Sequence, residues 1–292
     1  MYLTGFADEA AQDIEGQIKA TKELGWNAIE SRNISGKNIH DISDEDFDVV
    51  YGKLQDAGVK INCFGSAIGN WAKNILDPFE ITIAEIERAI PRMQRLGTDL
   101  IRIMSYARCE GEEQYKEERF RRLREIVKRF NDAGLTPVHE NCMNYGGMSA
   151  AHTLELVENV PGLRLVFDTG NGPFNKDYST PDLRWQNSLE FYNKVKQHVS
   201  YIHIKDANSP ESGEKEVYTM PGEGQGDVVE IMKDLKASGY DGGISIEPHL
   251  AAVFHDPSAV NTESDKSYEL YVEYGRRMMA ILDGIGYERS LY

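Results

Sequence analysis

Residues 163–171, LRLVFDTGN, form a run of apolar β-formers that ends abruptly in an acid, a hydroxyl, a glycine and an asparagine. Pro161 and Gly162 precede the run, and Gly170 to Pro173 follow it. An apolar run of this length between turn signals reads as a buried parallel strand. Asp168 then stands at the strand's C-terminal end. In open α/β sheets and in β/α barrels alike, that is the end where ligands bind. A single acid there says little, but three more strands end in the same way: in HEN (139–141), HIKD (203–206) and EPH (247–249).

Apolar runs over 2–6, 27–30, 59–64, 99–105, 135–140, 199–205 and 243–247 supply seven further strands. Helical spacing fills the gaps between them. Helices are expected over 12–24, from Ser43 to Gly58, from Pro78 towards Leu96 with a kink at Pro91, and over 112–133, 149–159, 183–197, 227–238 and 264–282. Ser43 is a helix-capping residue, followed by acids at 44–46 that suit a positive N-terminus, and Gly58 and Gly97 are helix stops. Eight strand-then-helix units in succession predict a parallel sheet, and eight is the number at which such a sheet closes. The expected fold is a single-domain (β/α)8 barrel over residues 1–292, with 286–292 as a short tail; a doubly wound open sheet is the alternative.

Composition narrows the function. The 292 residues are 40% hydrophobic and 27% charged, and no stretch is apolar enough to span a bilayer. The start of the chain lacks a signal-peptide pattern, and Cys63, Cys109 and Cys142 have no disulfide spacing, so a cytoplasmic location is expected. With 32 basic and 48 acidic side chains, the net charge of −16 repels phosphate backbones, which disfavours nucleic acid as a partner.

In a closed barrel, Glu140, Asp168, His203 and Glu247 converge from the fifth to eighth strands on one mouth. Three carboxylates crowded together repel one another, and a divalent cation removes the conflict. The oxygen-rich donor set with one nitrogen suits Mn²⁺ first, with Mg²⁺, Co²⁺ or Zn²⁺ also compatible. Several other residues fall near this mouth. Glu30 ends the second strand and is a candidate substrate contact, and His249 and His255, beyond the eighth strand, are candidates to enter the pocket, His249 as a substrate contact. Trp71 is placed either to stack on a ligand's face or to pack. His139, inside a strand, is more a core or supporting group than a ligand. PGEGQG at 221–226 is a turn before a helix rather than a phosphate loop, because no strand leads directly into it.

These motifs, HEN, FDTGN, YIHIKDA and SIEPH in that order, with GFADEAAQDIEGQIKATKELGWNAIESRNISGKN near the start, resemble the xylose-isomerase-like barrel superfamily of sugar phosphate isomerases and epimerases along nearly the whole chain. The resemblance implies that Glu140, Asp168, His203 and Glu247 hold one divalent metal, and that Glu140 and Glu247 also move protons. It implies a small carbohydrate substrate and a possible homodimer or homotetramer. The chemistry is consistent with this: removing a proton next to a carbonyl is slow unless the enediolate charge is stabilised, and a carboxylate on each face can take and return the proton.

This chain departs from the ketose 3-epimerases in having Asn171 where they carry a substrate-binding histidine, and Lys205 and Asp206 where they carry an acid and an arginine. Asn171 and Lys205 are therefore candidate substrate contacts; Lys205 either grips an anion or pairs with Asp206 or another acid. The expected function is a metal-dependent isomerase or epimerase of a sugar or sugar derivative. The alternative is a lyase that uses the same proton abstraction to dehydrate a keto-sugar, keto-inositol or keto-glycoside. An apurinic endonuclease, disfavoured by the negative charge, and a non-catalytic binding barrel are the remaining readings.

Overall fold

The computed structural model describes residues 1–210, 217–251 and 264–292. His255 lies outside them. Eight parallel strands run β1 (Tyr2–Gly5), β2 (Ala28–Ser31), β3 (Lys60–Phe64), β4 (Leu100–Ile103), β5 (Thr136–Glu140), β6 (Arg164–Asp168), β7 (Val199–Ile204) and β8 (Gly243–Ile246). Each is followed by its helix: α1 (Ile14–Glu23), α2 (Asp44–Ala57), α3 (Phe79–Leu96), α4 (Lys116–Asp132), α5 (Ala150–Asn159), α6 (Ser188–Val195), α7 (Val228–Ala237) and α8 (Ser264–Gly284). The strands pair in sequence order and β8 returns to pair with β1, so the sheet is a (β/α)8 barrel. Between β1 and β2 the ring is joined by one parallel bridge, Phe6 to Glu30.

Local chemistry sets most of the boundaries. Ser43 Oγ accepts from the Asp46 amide at 3.1 Å and opens α2, and Gly58 closes it at φ +65°, where a Cβ would be strained. Ser149 Oγ caps α5 in the same way by accepting from the His152 amide. α3 runs through Pro91, which lies on its exposed side.

Two helices begin later than their charge and periodicity suggest. α4 starts at Lys116 rather than 112, because Gln114 folds its amide back onto Cys109 and Gly111 and Tyr115 adopts φ +53°. α6 starts at Ser188 rather than 183. Leu183 sits at φ +47°, Gln186 donates to the carbonyls of Gly147 and Lys176, and Asn187 provides the cap.

The interior of the barrel explains how the site is held. Inward-facing positions recur every second residue along a strand. Val138, Val166 and Tyr201, with Cys63, form one buried apolar layer against which the partly buried Leu100 packs. Two residues beyond Leu100, Val138, Val166 and Tyr201 stand Arg102, Glu140, Asp168 and His203, all buried. Charged groups thus sit directly above an apolar floor.

Candidate active site

A hydrogen-bonded column crosses that floor. The Thr4 hydroxyl donates to Asn62 Oδ1 (2.8 Å), Asn62 Nδ2 donates to the Tyr201 hydroxyl (2.8 Å), and Tyr201 donates to Glu30 Oε2 (2.9 Å). Glu30 Oε1 in turn lies 3.1 Å from His203 Nε2. His203 therefore turns its other nitrogen, Nδ1, towards Glu140, whose Oε1 is 3.7 Å away. Burial alone would strip the imidazole of its proton, but Glu30, followed by Glu140, outweighs it and raises the pKa to about 10.

Glu30 is thus not placed as a substrate contact. It is fully buried, does not line the cavity at the mouth, and is engaged by Tyr201 and His203. A register shift between Ile29 and Glu30 accompanies this inward position. A carboxylate behind a histidine fixes which ring nitrogen is free to ligate.

Glu140, Asp168, His203 and Glu247 each offer one ligand atom within 4.8 Å of the others. Asp168 Oδ1 accepts the backbone N–H groups of Gly170 and Asn171, both at 2.8 Å. Its Oδ2 has no hydrogen-bond partner, and neither does His203 Nδ1. Lys205 Nζ is 3.2 Å from Asp168 Oδ2 and 3.2 Å from Glu247 Oε2, the first an ion pair without hydrogen-bond alignment. Lys205 thus pairs with two acids of the cluster rather than with Asp206. Burial pushes the Asp168 carboxyl up to about 7 against the pull of Lys205.

The two glutamates are held as anions. Burial would raise the Glu140 carboxyl, but Arg102 at 3.1 Å and His203 hold it at about 2. Glu247 is kept well below the usual carboxylate range, where Lys205, His249 and Arg32 outweigh burial; Arg32 reaches its Oε1 at 2.7 Å. Asn171 Nδ2 donates to Glu140 Oε1 at 3.1 Å.

A cavity of about 170 Å³ opens above these groups, and Trp71, Asn171, Lys205 and His249 line it together with Glu140 and Glu247. His249 is held from behind by Glu9, which accepts from its backbone N–H at 2.7 Å and lies 2.8 Å from Nδ1, in a residue at φ +53°. His139 lies in the core against Ser105, with burial lowering its pKa to about 4.

Three features escaped the reading of the sequence. Arg102 is an arginine in the middle of an apolar strand, LIRI, and such an interruption marks an inward charge in search of a partner. Arg32 is bound by Asp8, Glu9 and Glu247 at once, and its position two residues after Glu30 places it on the same inward face. The loop at 221–226 is a turn, as its residues suggest, but one wrapped around an anion. The amides of Gly222, Gly224 and Gly226 donate to the Asp206 carboxylate at 2.8, 3.0 and 2.8 Å. A Cβ on Gly224 would stand 2.4 Å from Asp206 Oδ1.

A (β/α)8 barrel with three carboxylates and an imidazole at its C-terminal mouth defines a class of metal-competent barrels. The chain belongs to the xylose isomerase-like TIM barrel family, whose sequence model matches residues 18–269. Among curated proteins it is similar to an inosose dehydratase from Lacticaseibacillus casei, with 24% identity over 154 residues; the match covers 48% of this chain and 47% of that protein. The chain thus spans about half the length of the curated relatives it matches.

Solved structures share the fold over almost the whole chain. A D-tagatose 3-epimerase-like protein superposes with a TM-score of 0.71 at 18% identity, covering 98% of both chains. A probable 3-DHS dehydratase of petrobactin synthesis from Bacillus anthracis gives 0.68 at 16%, covering 96% of this chain and 99% of the other. A barrel protein from Mycobacterium smegmatis in complex with magnesium gives 0.69 at 14%, covering 98% and 97%.

Proposed function

We propose that this protein is a divalent-metal-dependent enzyme that moves a proton on the carbon next to a ketone, isomerising or epimerising a sugar or sugar derivative. The observation that carries this reading is the pair of buried atoms without hydrogen-bond partners, Asp168 Oδ2 and His203 Nδ1, within 4.8 Å of ligand atoms of Glu140 and Glu247. Buried polar atoms are normally satisfied, so two such atoms facing two carboxylates fit a cation. Glu140, Asp168, His203 and Glu247 would hold it, with Mn²⁺ the first choice and Mg²⁺, Co²⁺ or Zn²⁺ compatible with the donors. A divalent ion there would polarise a ketone and acidify the neighbouring C–H.

The chain's own residues do the rest. Glu140 and Glu247, kept ionised by Arg102, Arg32 and Lys205, are bases able to accept a proton. Asn171 orients Glu140, and Trp71 and His249 line the same cavity. A second reading, in which a β-hydroxyl leaves after the same proton abstraction, is favoured by the similarity to an inosose dehydratase.

Elemental analysis of purified protein beside an Asp168→Ala control tests the metal. Near-stoichiometric metal that disappears in the control is expected; no metal in either protein after reloading would remove the basis of the reading. Transfer of deuterium from heavy water into a keto-sugar then tests the reaction. Glu30→Gln should weaken divalent-metal binding by about 10–100-fold in a calorimetric titration, because His203 loses its charged support. An unchanged affinity would show that Glu30 does not act through His203.

A further inference from the structure

We infer that the cavity takes an uncharged, polyhydroxylated ketone of monosaccharide size and rejects its phosphate esters and carboxylic acids. This inference rests on the proton-transfer reading above and narrows its substrate. Among the described residues three cations line the cavity, and each already has acidic partners. Arg32 is bound by Asp8 at 2.9 Å, Glu9 at 3.2 Å and Glu247 at 2.7 Å. Arg102 is bound by Glu140 at 3.1 Å and also donates to the Ser66 carbonyl. Lys205 is shared by Asp168 and Glu247, and an ion that takes Asp168 Oδ2 would still leave it Glu247 Oε2, 3.2 Å away. A phosphate would have to draw one of these cations away from a buried carboxylate, and leaving such a group unpaired is strongly unfavourable.

The charge of the surrounding cluster points the same way. Asp8, Glu9, Glu30, Glu140, Asp168 and Glu247 are six buried carboxylates facing three fixed cations, Arg32, Arg102 and Lys205. Once a divalent ion holds His203 as a neutral ligand together with the carboxylates, the six acids, the three fixed cations and the ion leave one negative charge in excess among these groups. A dianion brought into this weakly screened interior meets net repulsion. The remaining walls suit a neutral ligand. Asn33, Asn38, Asn70 and Asn171 present amides, which both donate and accept as hydroxyls do, and Trp71 presents a ring. The cavity of about 170 Å³ is smaller than the ~300–1,000 Å³ of pockets for drug-sized ligands, a size that suits a single sugar or cyclitol ring.

The test follows solvent deuterium by proton NMR with the metal-loaded full chain and matched compounds: neutral ketoses and a keto-cyclitol, their phosphate esters and their terminal carboxylic acids. Exchange is expected with at least one neutral compound, at a kcat/KM at least about a hundredfold above its charged counterparts, and unaffected by inorganic phosphate. A phosphate ester or acid processed faster than its neutral parent, or competition by inorganic phosphate, would overturn the inference while leaving the proton-transfer reading standing. Exchange with none of the compounds would remove both.

Discussion

Glu140→Gln is expected to lower turnover by at least about a thousandfold while the protein still folds and still takes up metal, with weakened affinity. Glutamine has the shape of glutamate and keeps an oxygen for the Asn171 amide at 3.1 Å. It cannot accept a proton, however, and it removes the anion that Arg102 neutralises. Because Arg102 also donates to the Ser66 carbonyl, the guanidinium is not left wholly unpartnered. Glu247→Gln should silence the enzyme as well, but it releases both Arg32 and Lys205 and is the less specific probe. Deuterium exchange beside a metal determination separates the effects. A Glu140→Gln protein that holds metal and works within tenfold of wild type would exclude Glu140 as an acid/base group.

Lys205→Met should produce the largest effect on stability, and that effect should depend on metal. In the metal-free protein the ammonium is the cation that Asp168 and Glu247 share, and it is itself only 2% exposed. Removing one partner of a buried ion pair typically costs about 3–5 kcal/mol. A divalent ion on the same carboxylates would supply the missing positive charge, so most of the loss should be recovered on adding metal. Metal affinity should also rise in the variant, because no ammonium competes for Asp168 Oδ2. Urea unfolding with and without metal measures both. Equal destabilisation in the two conditions would mean that Lys205 and the ion do not share these ligands.

The barrel and the four converging strand ends were legible from the sequence because both follow from short-range rules. Apolar runs closed by turn residues give the strands, and alternation along them puts Glu140, Asp168 and His203 on the inner face. What could not be read depends on partners distant in the chain. Arg102 makes sense only beside Glu140 on the next strand, and Arg32 only beside Asp8, Glu9 and Glu247. Glu30 looks like a mouth residue by its place at a strand end, yet the register shift beside it and the reach of Tyr201 and His203 make it a support from below. The late starts of α4 and α6 depend on side chains, Gln114 and Gln186, that fold back onto the backbone, which periodicity does not capture.

The single bridge between Phe6 and Glu30 gives the barrel a seam, and the seam runs through the site. Phe6 lies edge-on to His203 with ring centroids 5.0 Å apart, Glu30 holds the other side of that imidazole, and Asp8 and Arg32 clasp the strands just beyond. Breathing of the cylinder at its least laced joint is therefore the same motion as loosening of the histidine. Any ligand that tightens its grip on His203 fastens the hoop as a whole, and slower amide hydrogen exchange along β1 and β2 would record it.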